Sequence, residues 1–309
     1  MLSFNPKKNI SIYDYFYSHF NHYGFLFGSF NRYRKTFKNY FEVIKKFRNN
    51  EFEIECVLRN GDKKILNIFQ IIMYTRNVQQ FCNFNKDILS IKIRDLPEIK
   101  MLDWKNNGDF FSTVFYNDEY KSLPIKNYEI IDVGANNGDT SIYFAMRGAH
   151  NVIALEPLPQ NFESAKKNIE LNKMTNTINL LMAGLGGKKG EIKIASDIKG
   201  ASYGADNSEI GTSVPILTLN EILKISKSKN RILKMDCEGC EYDAILLSSK
   251  ELLQNFEQIR ISYHYGYKNL IKKLENSGFK VTCTKPLFFF NNFTTPSKMY
   301  IGDIHAIKI

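Results

Sequence analysis

Four acidic side chains and one histidine stand at the ends of short apolar runs: Asp132, Glu156, Asp236, Glu238 and His264. The first two belong to the stretch EIIDVGANNGDTSIYFAMRGAHNVIALEP, residues 129–157. Two apolar runs there, Glu129–Val133 and Asn151–Leu155, read as buried parallel strands. Between them lie a Gly134-Ala-Asn-Asn-Gly138 turn and a helix start at Asp139-Thr-Ser141. A β-α-β unit with a glycine turn after its first strand and a carboxylate after its second is built to hold a nucleoside. The turn admits a ligand to the backbone, and Glu156 accepts hydrogen bonds from ribose hydroxyls. The competing reading is a plain β-α-β unit with a solvated Glu156. Asp236, Glu238 and His264 offer different chemistry. A carboxylate or an imidazole with an ordinary pKa of about 6.5 can take a proton from a hydroxyl near neutral pH.

The spacing of the turn narrows the nucleoside. A dinucleotide fold wants G-x-G-x-x-G with a pyrophosphate on the helix N-terminus. Here the spacing is G-x-x-x-G, Asn136 stands where a central glycine would be, and Asp132 adds negative charge just before the turn. Asp132, Gly134, Gly138 and Glu156 instead resemble the S-adenosyl-L-methionine (AdoMet) site of class I methyltransferases. The resemblance makes Asp132, Gly134, Ala135, Asn136, Gly138, Asp139, Thr140, Glu156, Pro157 and Ala183 the expected cofactor-binding set. The turn's backbone would take the methionine end, and Ala183 would lie beside the adenine. Asp139 serves equally well as a helix cap.

The elements that must position these groups follow in order. Strands are expected at 129–133, 151–155, 178–183, 231–235, 258–263, 279–284 and 299–308. Helices fall at about 140–148, 159–172, 240–248 and 267–276, and Thr218-Leu-Asn-Glu221 is a capping box. The last two strands have no helix between them. The fold class is therefore α/β: a Rossmann-like, class I methyltransferase sheet of seven strands, parallel with a terminal antiparallel pair. Residues 1–110 form a separate expected region, crowded with aromatic residues. One or two amphipathic helices over Ser11–Asn50, broken at Gly24 and Gly28, lead to a hairpin around Arg59-Asn-Gly-Asp62. Asp109–Tyr116 reads as a strand leading into the domain of residues 111–309. The N-terminal helices could bind a lipid or an acceptor, form a dimer contact, or simply cover the sheet.

Thr113-Val-Phe115, Tyr120, EIIDVGANNGDTS (129–141), the 152–159 segment with Pro159, Asn168-Ile-Glu-Leu-Asn172 and LKMDCEGCE (233–241) together resemble the FkbM-type AdoMet-dependent methyltransferases. The pairing of D-V-G-A-N-x-G-D with K-x-D-x-E-G-x-E is far more specific than a glycine turn alone. The resemblance implies O-methylation of a hydroxyl on a sugar, glycolipid or other small molecule. Asp236, His264 and Glu238 are then the expected catalytic groups. Two or three carboxylates there could hold Mg²⁺ or Ca²⁺, but no metal is expected. Glu241 could salt-link to Lys234 or cap the next helix.

Net charge of +10 and a pI of about 9.1 keep nucleic acid or an anionic lipid surface open on charge alone. Nucleic-acid methylation is the alternative function. Against it, the 231–235 strand ends in Asp-Cys-Glu-Gly, without the Asn/Asp-Pro-Pro-aromatic turn of enzymes that methylate base amino groups. A non-catalytic interaction protein on the same fold is a third reading. Five cysteines and no apolar leader fit a reducing, cytoplasmic setting. Cys237-Glu-Gly-Cys240 lacks two further ligands for zinc and reads as small residues packing a turn. The loop Ser196–Thr212, with Ser202 and Tyr203, is a candidate lid or an ordinary surface loop.

Overall fold

A strand covered on both faces must be apolar throughout, and the sheet's central strands meet that demand. The computed structural model describes residues 6–49, 51–85, 87–93, 96–102, 104, 111–194, 211–289 and 299–309. The strands β1 (Glu129–Val133), β2 (Asn151–Leu155), β3 (Ile178–Leu181), β4 (Arg231–Met235), β5 (Gln258–Tyr263), β6 (Phe279–Cys283) and β7 (Met299–Lys308) form one sheet. Their order is β3-β2-β1-β4-β5-β7-β6. β1 to β5 run parallel, and β7 runs antiparallel to both neighbours. This is the expected class I methyltransferase sheet, with one strand more than expected: Leu287–Phe289 pairs antiparallel with β7. All of β1 is buried, and so is β4 apart from Arg231. The chain winds outward from β1 one way and from β4 the other, so the crevice for a ligand opens above their carboxyl ends.

Helices Asp139–Met146, Pro159–Leu171, Leu219–Ile225, Cys240–Leu246 and Lys268–Asn276 connect the strands. The Thr218–Glu221 capping box forms as expected. Elsewhere the structure departs from expectation. Phe111–Tyr116 is a π-type helical turn instead of a strand. The helix Ile12–Thr36 runs unbroken through Gly24 and Gly28. Cys82–Asn85, Ile88–Ile91 and Ile99–Leu102 form an unforeseen antiparallel sheet. Most of the 196–212 loop, including Ser202 and Tyr203, lies outside the described residues.

Contacts divide the chain into two units, residues 1–21 with 123–309, and residues 22–122. The second has its own core of Phe37, Val43, Ile54, Cys56, Leu66 and Ile71, and contains the expected hairpin. The first twenty-one residues, expected within the N-terminal region, group with the sheet. There, Asn9 Nδ2 donates to the Tyr265 carbonyl at 3.0 Å, and the Asn269 amide donates to Asn9 Oδ1 at 2.9 Å.

At the centre of the sheet, parallel pairing sets Asp132 of β1 beside Lys234 of β4. Lys234 Nζ lies 2.9 Å from Asp132 Oδ1, and both side chains are buried. Lys234 also donates to the Gly134 carbonyl at 3.1 Å. Asp132 Oδ2 accepts from Thr140 Oγ1 and Ser141 Oγ, each at 2.6 Å. Removing one partner of such a pair strands a buried charge, at about 3–5 kcal/mol. Urea unfolding of Lys234→Met should show a loss of that order. The double variant Asp132→Leu/Lys234→Met should lose less than the sum of the two singles. A Lys234→Met loss below about 1 kcal/mol would contradict the central place given to the pair.

Candidate active site

The turn after β1 is pressed against the turn after β4. Gly134 has φ +79°, and a Cβ on it would lie 1.9 Å from the Asp236 carbonyl oxygen. No side chain fits there. Gly138, at φ +86°, is the N-cap of the helix Asp139–Met146. Asp139 is therefore the helix's first residue and not its cap. Its carboxylate accepts from the Thr140 amide at 2.8 Å, and burial pushes its pKa up to about 7. The Ala135 amide donates to the Leu155 carbonyl, stitching the turn to β2.

Glu156, directly after β2, clamps the turn from the other side. Its Oε2 accepts the Asn136 amide at 2.8 Å, and its Oε1 accepts the Leu158 amide at 2.9 Å. Burial pushes its pKa up to about 7. The Asn161 side chain is a third hydrogen-bond partner, which leaves one of the carboxylate's roughly four lone-pair sites open. Asn136 Oδ1 and both polar atoms of the Asn137 side chain are buried without a hydrogen-bond partner among the described residues. Buried polar groups are normally satisfied, so these orphans fit the polar ends of a nucleoside or amino-acid ligand. Pro157 is half-buried beside Glu156, and Ala183 is buried past the end of β3. Asp132, expected among the cofactor-binding groups, is fully buried and committed to Lys234, Thr140 and Ser141. It supports the turn from beneath. Thr140 likewise spends its hydroxyl on Asp132.

The second half of the site is built from the turn after β4 and the residue after β5. Glu238 adopts φ +57° and Gly239 φ +125°, which carries the chain sharply from strand into helix. His264 Nδ1 lies 2.6 Å from Glu241 Oε1. Its Nε2 lies 3.1 Å from Glu238 Oε2 and 3.6 Å from Asp236 Oδ1. Glu241 is fully buried and also accepts the Gly239 amide at 2.8 Å. The three predicted catalytic groups thus meet, on one histidine. Side-chain exposure falls from 41% at Asp236 through 20% at Glu238 to 9% at His264, so the cluster opens to solvent at Asp236.

Electrostatics revise the role of His264. Burial by itself would lower its pKa, but Glu241, then Glu238 and Asp236, outweigh burial and push it up to about 10. Burial pushes Glu238 up to about 8. At neutral pH the imidazole is therefore protonated in the free protein. In that form the ring is a hydrogen-bond donor with a positive charge, whereas the sequence reading has a neutral imidazole.

Cys237 and Cys240 are joined in a disulfide that spans Glu238 and Gly239. The expectation of two small packing residues gives way to a covalent staple across the turn. Cys237 Sγ lies 3.2 Å from Glu241 Oε2. Glu241 is the functional side chain that motif reading undervalued. Its signal was its place in the first turn of a helix that begins beside the histidine's strand.

Residues 132–281 match the family model described as the methyltransferase FkbM domain. Among curated proteins, the ribosomal protein L11 methyltransferase of Geobacillus thermodenitrificans (strain NG80-2) is 45% identical over 49 residues, 16% of this chain and 16% of that protein. Among solved structures, the methyltransferase FkbM of Methylobacillus flagellatus KT aligns over 65% of this chain and 48% of its own, at 16% identity and a TM-score of 0.42. The METTL16 MTase domain aligns over 87% of this chain and 90% of its own, at 13% identity and a TM-score of 0.46. The chain thus spans a small part of the curated relative and just under half of the FkbM structure. No described helix is long and apolar enough to cross a membrane. The match falls on the strands whose ends carry both halves of the site, and residues 132–281 are similar to the methyltransferase FkbM domain.

Proposed function

We propose that the chain is an AdoMet-dependent methyltransferase acting on a hydroxyl of a sugar, glycolipid or other small molecule. The observation that carries this is the contact of two unlike half-sites. A nucleoside-type turn, clamped by Glu156, abuts an acid–histidine cluster at Asp236. AdoMet, when bound, would supply a methyl group on a cationic sulfur that leaves with the C–S electron pair. The protein's share is orientation, exclusion of water and removal of the hydroxyl proton. Asp236, the exposed acid of the cluster, is placed to receive that proton. The His264 imidazolium, fixed by Glu241, is placed to hold the acceptor oxygen. Glu156 is placed to accept from a ribose hydroxyl through its remaining lone pair. The Asp236-Cys-Glu-Gly sequence, in place of a Pro-Pro-aromatic turn, favours this over methylation of nucleic-acid amino groups.

Two tests follow. Hydrogen bonds to a charged acceptor contribute roughly 1.5–3 kcal/mol each. Isothermal titration should show binding of AdoMet or S-adenosylhomocysteine and none of NAD(P). Glu156→Ala should weaken it by about tenfold to a hundredfold. Because the ionised carboxylate does the accepting and its pKa lies near 7, affinity should fall as pH drops below 7, by up to about tenfold per unit. Glu156→Gln should flatten that dependence. NAD binding without AdoMet binding would sink the cofactor assignment. In the second test, an acceptor screen supplies the substrate. Asp236→Asn and His264→Ala should then lower turnover by about 10²–10⁴ while S-adenosylhomocysteine affinity holds. Turnover that falls only in step with cofactor affinity would move both residues to the cofactor side.

A further inference from the structure

We propose that Asp236, Glu238 and His264 Nε2 form a binding site for one divalent first-row cation, with Glu241 as the positioning residue for the imidazole. The proposal rests on the methyl-transfer reading of the same site and puts an ion, in place of the imidazolium proton, where the acceptor hydroxyl would settle.

One ligand atom from each residue lies within 4.8 Å of the others. The two separations from Nε2 are 3.1 Å and 3.6 Å. Bonds of about 2.1 Å to a tetrahedral or octahedral ion put neighbouring donors roughly 3.0–3.4 Å apart. The cluster needs little movement to close on an ion.

The histidine is held from behind by a carboxylate. A metal-binding histidine commonly gives its other ring nitrogen to a carboxylate, which fixes the ring and raises its basicity. Here Nδ1 faces the fully buried Glu241 at 2.6 Å, and Nε2 is turned toward the two outer carboxylates. Glu241 is itself anchored by the Gly239 amide. His264 is only 7% exposed, so this arrangement is built into the fold and is not a surface accident.

The charge balance points the same way. Glu238 Oε2 is buried, and the partner within its reach is His264 Nε2 at 3.1 Å. Buried carboxylates are costly unless paired or bound to metal. With three carboxylates around one imidazole, the cluster carries surplus negative charge even when the ring is protonated. An ion held by Nε2 would take the place of that proton. One imidazole with two carboxylates suits Mn²⁺, Fe²⁺ or Zn²⁺ better than Ca²⁺, which prefers an all-oxygen shell. The open side at Asp236 leaves coordination positions for a hydroxyl.

The test uses the full chain, stripped with EDTA and dialysed into metal-free buffer. Mn²⁺ is titrated in, and free Mn²⁺ is followed by its electron paramagnetic resonance signal. One Mn²⁺ per chain is expected, with affinity weakened at least tenfold in Glu238→Gln, Asp236→Asn and His264→Ala. Glu241→Gln should weaken binding less and shift it to higher pH, because it alters the basicity of the ring and removes no ligand. S-adenosylhomocysteine calorimetry on the same samples serves as fold control and as a check on the cofactor reading. Stoichiometric Mn²⁺ binding lost in the ligand variants, with S-adenosylhomocysteine binding kept, supports the site. Absence of stoichiometric Mn²⁺ binding in wild-type protein that binds S-adenosylhomocysteine overturns it and leaves the methyl-transfer reading standing. So does Mn²⁺ binding untouched by all three ligand variants. Mn²⁺ binding without S-adenosylhomocysteine binding supports the ion site and overturns the cofactor assignment alone.

Discussion

The ion pair between Lys234 and Asp132 is the constraint on which both half-sites depend. Two opposite charges lie in the middle of an otherwise apolar sheet, where either one alone would be strongly unfavourable. Well-packed apolar residues can fill such a place with equal or greater stability, so bulk stability does not account for the pair. Its other bonds do. Lys234 reaches the Gly134 carbonyl, and Asp132 gathers the hydroxyls of Thr140 and Ser141. One buried pair thereby fixes the end of β1, the glycine turn and the first turn of the following helix. Gly134 then touches the Asp236 carbonyl, which passes the same register to the acid cluster.

The two half-sites are electrically unlike, and that difference orients a ligand. The helix after the glycine turn presents its N-terminal amides and the positive end of its dipole. The turn after β4 presents Asp236 and Glu238. A molecule with a carboxylate at one end and a cationic sulfur further along would be drawn into one direction only. The same turn carries the cost of its own geometry: Glu238 sits in the left-handed region, which disfavours a side chain with a Cβ. The Cys237–Cys240 disulfide brackets that residue. The bracket limits the turn's freedom to relax and so helps to hold Glu238 against His264.

Much of this architecture was legible because it repeats. Continuous apolar runs, glycine after β1, proline opening the Pro159–Leu171 helix and the Thr218–Glu221 box are local signals with local causes. The strand ends told which residues would gather, and Asp236, Glu238 and His264 do gather. What could not be read was how their charges balance. His264 looked like a free base because its sequence neighbours, Tyr263 and Tyr265, carry no charge. Its pKa is set by Glu241, Glu238 and Asp236, which stand more than twenty positions away. Asp132 looked like a ligand group for the same reason, since its partner is Lys234, a hundred residues on. The sheet of residues 82–102 escaped notice because its strands are four residues long, too short for a period to declare itself.

The N-terminal segment shows how far such dependence reaches. Gly266, two residues after His264, has φ +85°, and a Cβ there would lie 2.8 Å from the Asn9 carbonyl oxygen. Asn9 bonds to the Tyr265 carbonyl and to the Asn269 amide, while its own carbonyl accepts from Tyr267. From the other side, the Tyr242 hydroxyl accepts the Tyr265 amide and donates to the Gly266 carbonyl, each at 2.7 Å. The Tyr300 amide closes the third side by donating to the His264 carbonyl at 3.0 Å. The backbone that carries the histidine is therefore gripped by Asn9, by the helix that holds Glu241, and by β7. An imidazole that must stay within 3.1 Å of one carboxylate and 2.6 Å of another needs a backbone that cannot drift. This demand gives the opening residues a place in the sheet unit, which their aromatic, helix-like sequence does not reveal.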